Sequence, residues 1–366
     1  MRRVVLPVDR LAELWPGEAE GARVGAILHA ASVDSRLRPT LSGLENLATG
    51  GRIKLAALFG PQHGFDSTTQ DNMIEWSGFH HPRLGIPVHS LYGEVREPTS
   101  EMLEGIDVLF LDLFDVGARY YTFIWTMFLC LKAASERGIP LIVADRPNPL
   151  NGVTVEGRPQ QEDHLSFVGM HPLPVRHGRT IGELARQFQA ERFPEAEVVV
   201  LPIEGWTRSD YHDDTGLPWV MPSPNMPTLD TALVYPGMCL FEGTNVSEGR
   251  GTTRPFELFG APWIDSPSLV SALNDHGLPG VHFREASFEP GFQKHAGQTC
   301  GGAQIHVLDR DTFAPVRSAL AILRLLKDSY PSDFRWKEPP YEYEHEKLPI
   351  EILCGRPSGD IFTKTL

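Results

Sequence analysis

Residues 106–113 read IDVLFLDL and run directly into FDVGARYY at residues 114–121. An apolar run without polar alternation predicts a strand covered on both faces, as in a parallel sheet. Three further segments share this character: RVGAIL at 23–28, IKLAALF at 53–59, which ends at Gly60, and PLIVAD at 140–145. Helical patterns stand between them. Residues 41–50 predict a helix stopped by Gly50 and Gly51, and residues 121–137 predict a longer one closed by Gly138. Strands alternating with helices define the α/β class, with a Rossmann-like parallel sheet.

Beyond Arg158 the texture changes. Thr180 followed by Glu183 is a capping-box pattern opening a helix, and residues 197–201 form one more strand. The stretch LPWVMPSPNMPTL at 217–229 is too apolar for a flexible linker and predicts an ordered crossover. From Leu229 onward the chain reads as α+β, with strands near 281–283 and 304–307 and a helix near 316–327. The expected division is a Rossmann-like catalytic domain at residues 1–222 and a smaller α+β domain at 223–366.

The 366 residues carry 33 basic and 47 acidic side chains, a formal charge of −14. An acidic surface repels phosphate backbones and anionic headgroups, so neither nucleic acid nor a membrane surface is an expected partner. No stretch approaches the ~20 apolar residues of a membrane span. The opening MRRVVLPVDR lacks the apolar core of a signal peptide, which makes a cytoplasmic location the expectation. Cys130, Cys239, Cys300 and Cys354 are widely spaced and read as isolated thiols. Dinucleotide, P-loop and GxSxG motifs do not occur, so no cofactor is expected.

The chemistry concentrates where the strands end. GPQHG at 60–64 supplies Gln62 and His63, and the turn after LYG supplies Glu94. The third apolar run delivers Asp112, Asp115, Arg119 and Tyr121, and the fourth Asp145, Arg146 and Asn148. The second half adds His177, Asn225, and the loop EGTNVSEGRGT at 242–252 with Asn245, Glu248, Arg250 and Thr252. Any one of these alone reads as a solvated strand end or a surface turn. Together they furnish one cleft beyond the carboxyl edge of the sheet. His63, Asp112, Asp115, Asp145 and His177 could be imagined around a metal, but no pair has ligand spacing, and none is expected.

The succession FGPQHGF, GIPVHSLYGE, DVGARYYTF, DRPNPLNG, VEGRP, HGRTIGELA, TGLPWVMPSPNMPT and LFEGTNVSEGRGTTRPFELFGAPW is specific. From about residue 24 to about residue 307 it resembles the NamZ-type exo-β-N-acetylmuramidases, long catalogued as a domain of unknown function. The resemblance implies a Rossmann-like N-terminal domain, a smaller C-terminal domain and an active site in the cleft between them. It also implies removal of N-acetylmuramic acid from the non-reducing end of cell-wall fragments, hence a small saccharide or muropeptide substrate.

Two departures bear on this. Family members commonly read FGPEHG, whereas Gln62 stands here and cannot exchange a catalytic proton. The C-terminal 350–366 segment stops short of the expected tail. Glu94 thus becomes the expected general acid/base, with Asp115, His63 and Tyr121 as the other catalytic candidates. Gln62, Asp145, Asn148, His177, Asn225, Asn245, Glu248 and Thr252 are expected to bind substrate. Arg119, Arg146 and Arg250 would meet the lactyl carboxylate of muramic acid. The rival readings are a non-catalytic glycan-binding protein on the same fold and a metal-dependent hydrolase.

Overall fold

β1 (Arg23–Ile27) is flanked on both sides by parallel neighbours, which is why its last four residues are all buried. A computed structural model describes residues 4–71 and 73–363. In it the chain divides into two units. The first comprises Met1–Gly117, Tyr121–Val153 and Gly178–Pro224; the second comprises Ala118–Tyr120, Thr154–His177 and Asn225–Leu366. The second unit therefore draws two short segments from the first half of the chain, besides everything after Pro224.

In the first unit, α1 (Leu11–Leu14), β1 and α2 (Thr40–Thr49) lead to β2 (Lys54–Gly60), β3 (Phe79–His80), β4 (Pro87–Ser90) and β5 (Val108–Leu111). α3 (Phe123–Arg137), β6 (Leu141–Ala144), α4 (Ile181–Arg192) and β7 (Val198–Leu201) complete it. The sheet order is β3-β4-β2-β1-β5-β6-β7. Every pairing is parallel except β3 with β4. β5 and β6 are buried along their whole length, as an uninterrupted apolar run requires of a strand with both faces covered. Val24, Ala26, Leu58, Phe110 and Ile142 share one core cluster with Leu44 and Leu47 of α2.

The helix ends follow local chemistry. Gly138 closes α3 in the left-handed region at φ 64°, its N–H bonding the Ala134 carbonyl. α4 opens with the expected box: the Glu183 amide donates to the Thr180 hydroxyl at 3.1 Å, and the Thr180 amide to the Glu183 carboxylate at 3.0 Å. α3 begins at Phe123, with Thr122 at its N-cap, but that hydroxyl makes no capping bond. Its partner lies at the end of another strand, as described below.

The second unit holds α5 (Leu229–Met238), β8 (Leu258–Ala261), α6 (Ser266–Asp275), β9 (Val281–Phe288), β10 (Cys300–Val307), α7 (Pro315–Ser329) and α8 (Pro349–Cys354). Its three strands form an antiparallel sheet, β8-β10-β9. Gly302 on β10 faces β8 so closely that a Cβ would fall 1.9 Å from the Phe259 carbonyl oxygen, so only glycine fits there. The architecture is α/β with a Rossmann-like parallel sheet, joined to an α+β unit. No helix among the described residues is long and apolar enough to cross a membrane.

Candidate active site

The strand ends of the first unit form a ledge of buried polar groups. Immediately after β2, Gln62 is buried and its carboxamide oxygen accepts a 2.6 Å hydrogen bond from the Thr122 hydroxyl. The Thr122 hydroxyl thus orients the side chain at the position where the sequence resemblance expects a glutamate. His63 follows with φ 72°, a costly conformation for a residue with a Cβ, and its Nδ1 lies 2.8 Å from the Thr69 carbonyl. Beyond β5, Asp115 is buried and accepts from the Gly117 amide at 2.8 Å. Tyr121 is also buried, its ring edge-on to Phe123 at 4.9 Å.

His29, which sequence reasoning did not single out, ties these ends together. Its Nε2 accepts from the Phe114 amide at 3.0 Å, and its Nδ1 faces the Pro222 carbonyl at 3.3 Å. Burial, reinforced by the positive charge of Arg146, lowers its pKa to about 3. The ring is therefore a neutral strut. A lone histidine two residues past a strand carries no sequence signal of this.

Glu94 stands apart from the ledge. It is exposed on an open groove of about 700 Å³ beyond β4, which Trp76, His89, Ser90 and two more carboxylates, Glu75 and Glu101, also line. That volume lies within the range of saccharide-sized pockets, ~300–1,000 Å³. Tyr92, two residues before it, is fully buried and so does not enclose the Glu94 carboxyl from the solvent side. The Arg96 guanidinium reaches the Gly93 carbonyl at 3.5 Å.

The three arginines expected to meet a substrate carboxylate have partners inside the protein. Arg146 donates to both oxygens of Asp112, at 2.5 and 2.8 Å, and to the Val33 carbonyl at 2.8 Å. Asp112 is completed by the Thr40 hydroxyl at 2.6 Å. In the second unit, Arg119 donates to the carbonyls of Arg158 and Leu173 at 3.0 and 2.9 Å, and also to that of Leu353. Burial lowers its pKa to about 10. Arg250 sits between Glu242, at 2.7 Å, and Glu248, at 3.4 Å. Burial opposes its charge, but the two carboxylates outweigh this and hold its pKa above the ordinary arginine value. Lys294 meets Glu248 at 2.7 Å, and the Tyr341 hydroxyl meets Glu242 at 2.6 Å. Each of the three guanidiniums therefore has partners within the protein, carboxylates for Arg146 and Arg250 and backbone carbonyls for Arg119.

The remaining candidates also have defined surroundings. Asp145 accepts from the Gly182 and Arg146 amides at 2.7 and 2.9 Å and from the Thr180 hydroxyl at 3.0 Å. Burial nevertheless pushes its carboxyl up to about 6. Asn148 bridges the Arg179 carbonyl and the Leu150 amide. Within the second unit, His177 and Asn225 are buried. Asn245 pairs with the backbone of Asp333 and Arg335, and Thr252 closes a turn onto the Gly249 carbonyl at 2.6 Å. Lys294 and Tyr341, which complete the Glu242–Glu248–Arg250 cluster, lie too far along the chain for any spacing rule to find. Among the described residues, no three His, Cys, Asp or Glu side chains converge as metal ligands would.

Polar groups gathered beyond the carboxyl ends of a parallel sheet, beside an open groove, are where α/β proteins take small polar ligands. The sequence comparisons give the class. The family descriptions for exo-beta-N-acetylmuramidase NamZ match residues 24–230 with the N-terminal part and residues 233–359 with the C-terminal part. The chain belongs to this family. It is 46% identical over 334 residues to the peptidoglycan beta-N-acetylmuramidase NamZ of Bacillus subtilis (strain 168), covering 91% of this chain and 80% of that one. Two crystal structures of DUF1343-family proteins from Bacteroides fragilis are similar to it. One has a TM-score of 0.85 at 31% identity and covers 97% of this chain and 90% of its own. The other has a TM-score of 0.72 at 25% identity and covers 98% and 90%.

Proposed function

We propose that the protein is an exo-acting β-N-acetylmuramidase, releasing N-acetylmuramic acid from the non-reducing end of peptidoglycan fragments. The observation that carries this is the 46% identity to the Bacillus subtilis muramidase across 91% of the chain. Glycosidic hydrolysis needs a proton donor at the leaving oxygen and a second group that supports the oxocarbenium-like transition state or activates water. Glu94 is the proposed acid/base, since it is a solvent-accessible carboxyl on a groove of sugar size. The half-buried Trp76 on the same groove offers an apolar face to a sugar ring. Asp115, held by the Gly117 amide at the end of β5 and not among the groove-lining residues, is the candidate to take over if Glu94 is not the acid/base. End specificity is tested with purified fragments terminated by either sugar. Release of free N-acetylmuramic acid from muramyl-terminated fragments alone is expected; internal cleavage, or release of N-acetylglucosamine first, would contradict it.

One observation favours a second reading, a protein that binds such fragments without cutting them. Gln62 occupies the position where the family commonly has glutamate, and its hydrogen bond to Thr122 fits a carboxylate oxygen equally well. Retained sugar binding with no release of muramic acid would favour that reading.

A further inference from the structure

A smaller opening in the first unit lies apart from the Glu94 groove. It lies beyond the carboxyl ends of β1, β5 and β6. The connections change direction there, β1 leading to β2 on one side while β4 leads to β5 on the other. Open α/β sheets take their ligands at such a switch point. Ala31, Val33, Phe114 and Leu217 give the cavity apolar walls, and its volume is about 20 Å³. One water needs ~10–15 Å³, so the space suits a methyl-sized group and no ring.

His212 forms part of the wall. It is 6% exposed, stands 5.6 Å from the Phe114 ring and 5.0 Å from the Trp219 ring, and among the described residues its Nε2 has no hydrogen-bond partner, the backbone of Leu217 and Pro218 serving the other side of the ring. A buried ring nitrogen left in this way is destabilising, and a ligand atom that meets it recovers the loss. Burial also lowers the pKa of this imidazole, keeping it neutral. The charges disfavour an anion. Arg146 on the wall is already matched by Asp112, and Asp34 by Arg38, so no unpaired positive charge is left among the described lining residues to hold an anion.

We infer that this cavity receives the N-acetyl group of an amino sugar, with the methyl against Ala31, Val33 and Leu217 and the amide on Nε2 of His212. A neutral imidazole nitrogen accepts from an amide N–H in one tautomer and donates to a carbonyl in the other, and an acetamido group presents both. The identity of the sugar rests on the muramidase reading; the cavity does not. Both sugars of the substrate carry this group, and β4 is two strand spacings from β1, roughly 10 Å, the scale of a disaccharide.

The test measures calorimetric binding and turnover for muramides bearing N-acetyl, N-propionyl or N-butyryl groups, and for the 2-hydroxyl analogue. Disaccharides in which the neighbouring glucosamine carries the altered acyl group form the second arm. The wild type is expected to prefer acetyl over butyryl at least tenfold in one arm, which identifies the sugar. Leu217→Ala, at a half-buried position, is expected to shift that preference at least tenfold toward butyryl, and Val220→Ala serves as a second enlargement of the same wall. His212→Phe is expected to lose the preference for acetamido over hydroxyl, and His212→Asn to retain most of it. An acyl preference unmoved by both enlargements, or equal binding of acetylated and 2-hydroxyl sugars, would overturn the assignment. Acyl-dependent binding without hydrolysis would keep the cavity assignment and remove the activity; hydrolysis indifferent to both enlargements would do the reverse.

Discussion

The Thr122 hydroxyl, at the start of α3, donates to the Gln62 carboxamide oxygen at 2.6 Å. Thr122 already has helical dihedrals, φ −67° and ψ −8°, so its hydroxyl is not drawn into a cap bond. The bond fixes the orientation of residue 62 at the end of β2. Gln62→Glu keeps the shape and can keep the same hydrogen bond. With proton transfer resting on Glu94, the substitution is expected to change turnover less than tenfold. A gain of 100-fold or more from an inactive background, measured on a muramyl-terminated fragment, would move the chemistry to position 62.

Glu94→Gln removes an exchangeable proton from an exposed position and leaves the fold untouched. General acid–base groups contribute ~10²–10⁴-fold, so kcat on a substrate with a poor leaving group is expected to fall at least ~100-fold, with KM nearly unchanged. A variant within tenfold of wild type would transfer the role, first to Asp115.

The central strands were legible because burial on both faces leaves a continuous apolar run. The expected strand at 23–28 is observed as Arg23–Ile27 and that at 53–59 as Lys54–Gly60. The edge of the sheet was less so: β3 is two exposed residues whose pairing, not composition, makes them a strand. α5 was hidden by Pro236 within it and by the proline-rich passage before it. Gln62, Asp115 and Asp145 do lie just past the ends of β2, β5 and β6, as their place after apolar runs implies. Sequence could not tell which of the polar candidates are matched internally, because partners such as Lys294 for Glu248 and Asp112 for Arg146 are 46 and 34 residues apart.

The Asp112–Arg146 pair is expected to be structural. Asp112→Ala leaves a buried guanidinium uncompensated and should lower unfolding free energy by about 3–5 kcal/mol. Asp112→Leu combined with Arg146→Met removes both charges and should recover most of that loss. Denaturant titration of the two variants checks this. A double variant no more stable than the single one would mean that Arg146 has needs beyond Asp112.

His29 should set the acid limb of the stability profile. Burial lowers its folded-state pKa from 6.5 to about 3, so its contribution is full above pH 6.5 and is lost as pH falls toward 3. The full effect is on the order of 5 kcal/mol. Asp145 acts oppositely: its pKa raised to about 6 favours the folded state below pH 4 and loses that advantage as pH rises to 6. His29→Gln removes only the first contribution. Its stability should therefore fall less steeply than that of wild type between pH 6.5 and 4, as read from urea midpoints; parallel profiles would show that His29 is not the titrating group.

The most direct measurement of the assigned activity compares a chromogenic β-N-acetylmuramide with the matching β-N-acetylglucosaminide, using wild-type protein. The two substrates differ only in the lactyl ether at the 3-position. Steady release of chromophore from the muramide, with the glucosaminide turned over at least 100-fold more slowly, is the predicted result. Tight binding of the muramide with no release would contradict the enzyme reading and leave a glycan-binding protein on a muramidase fold.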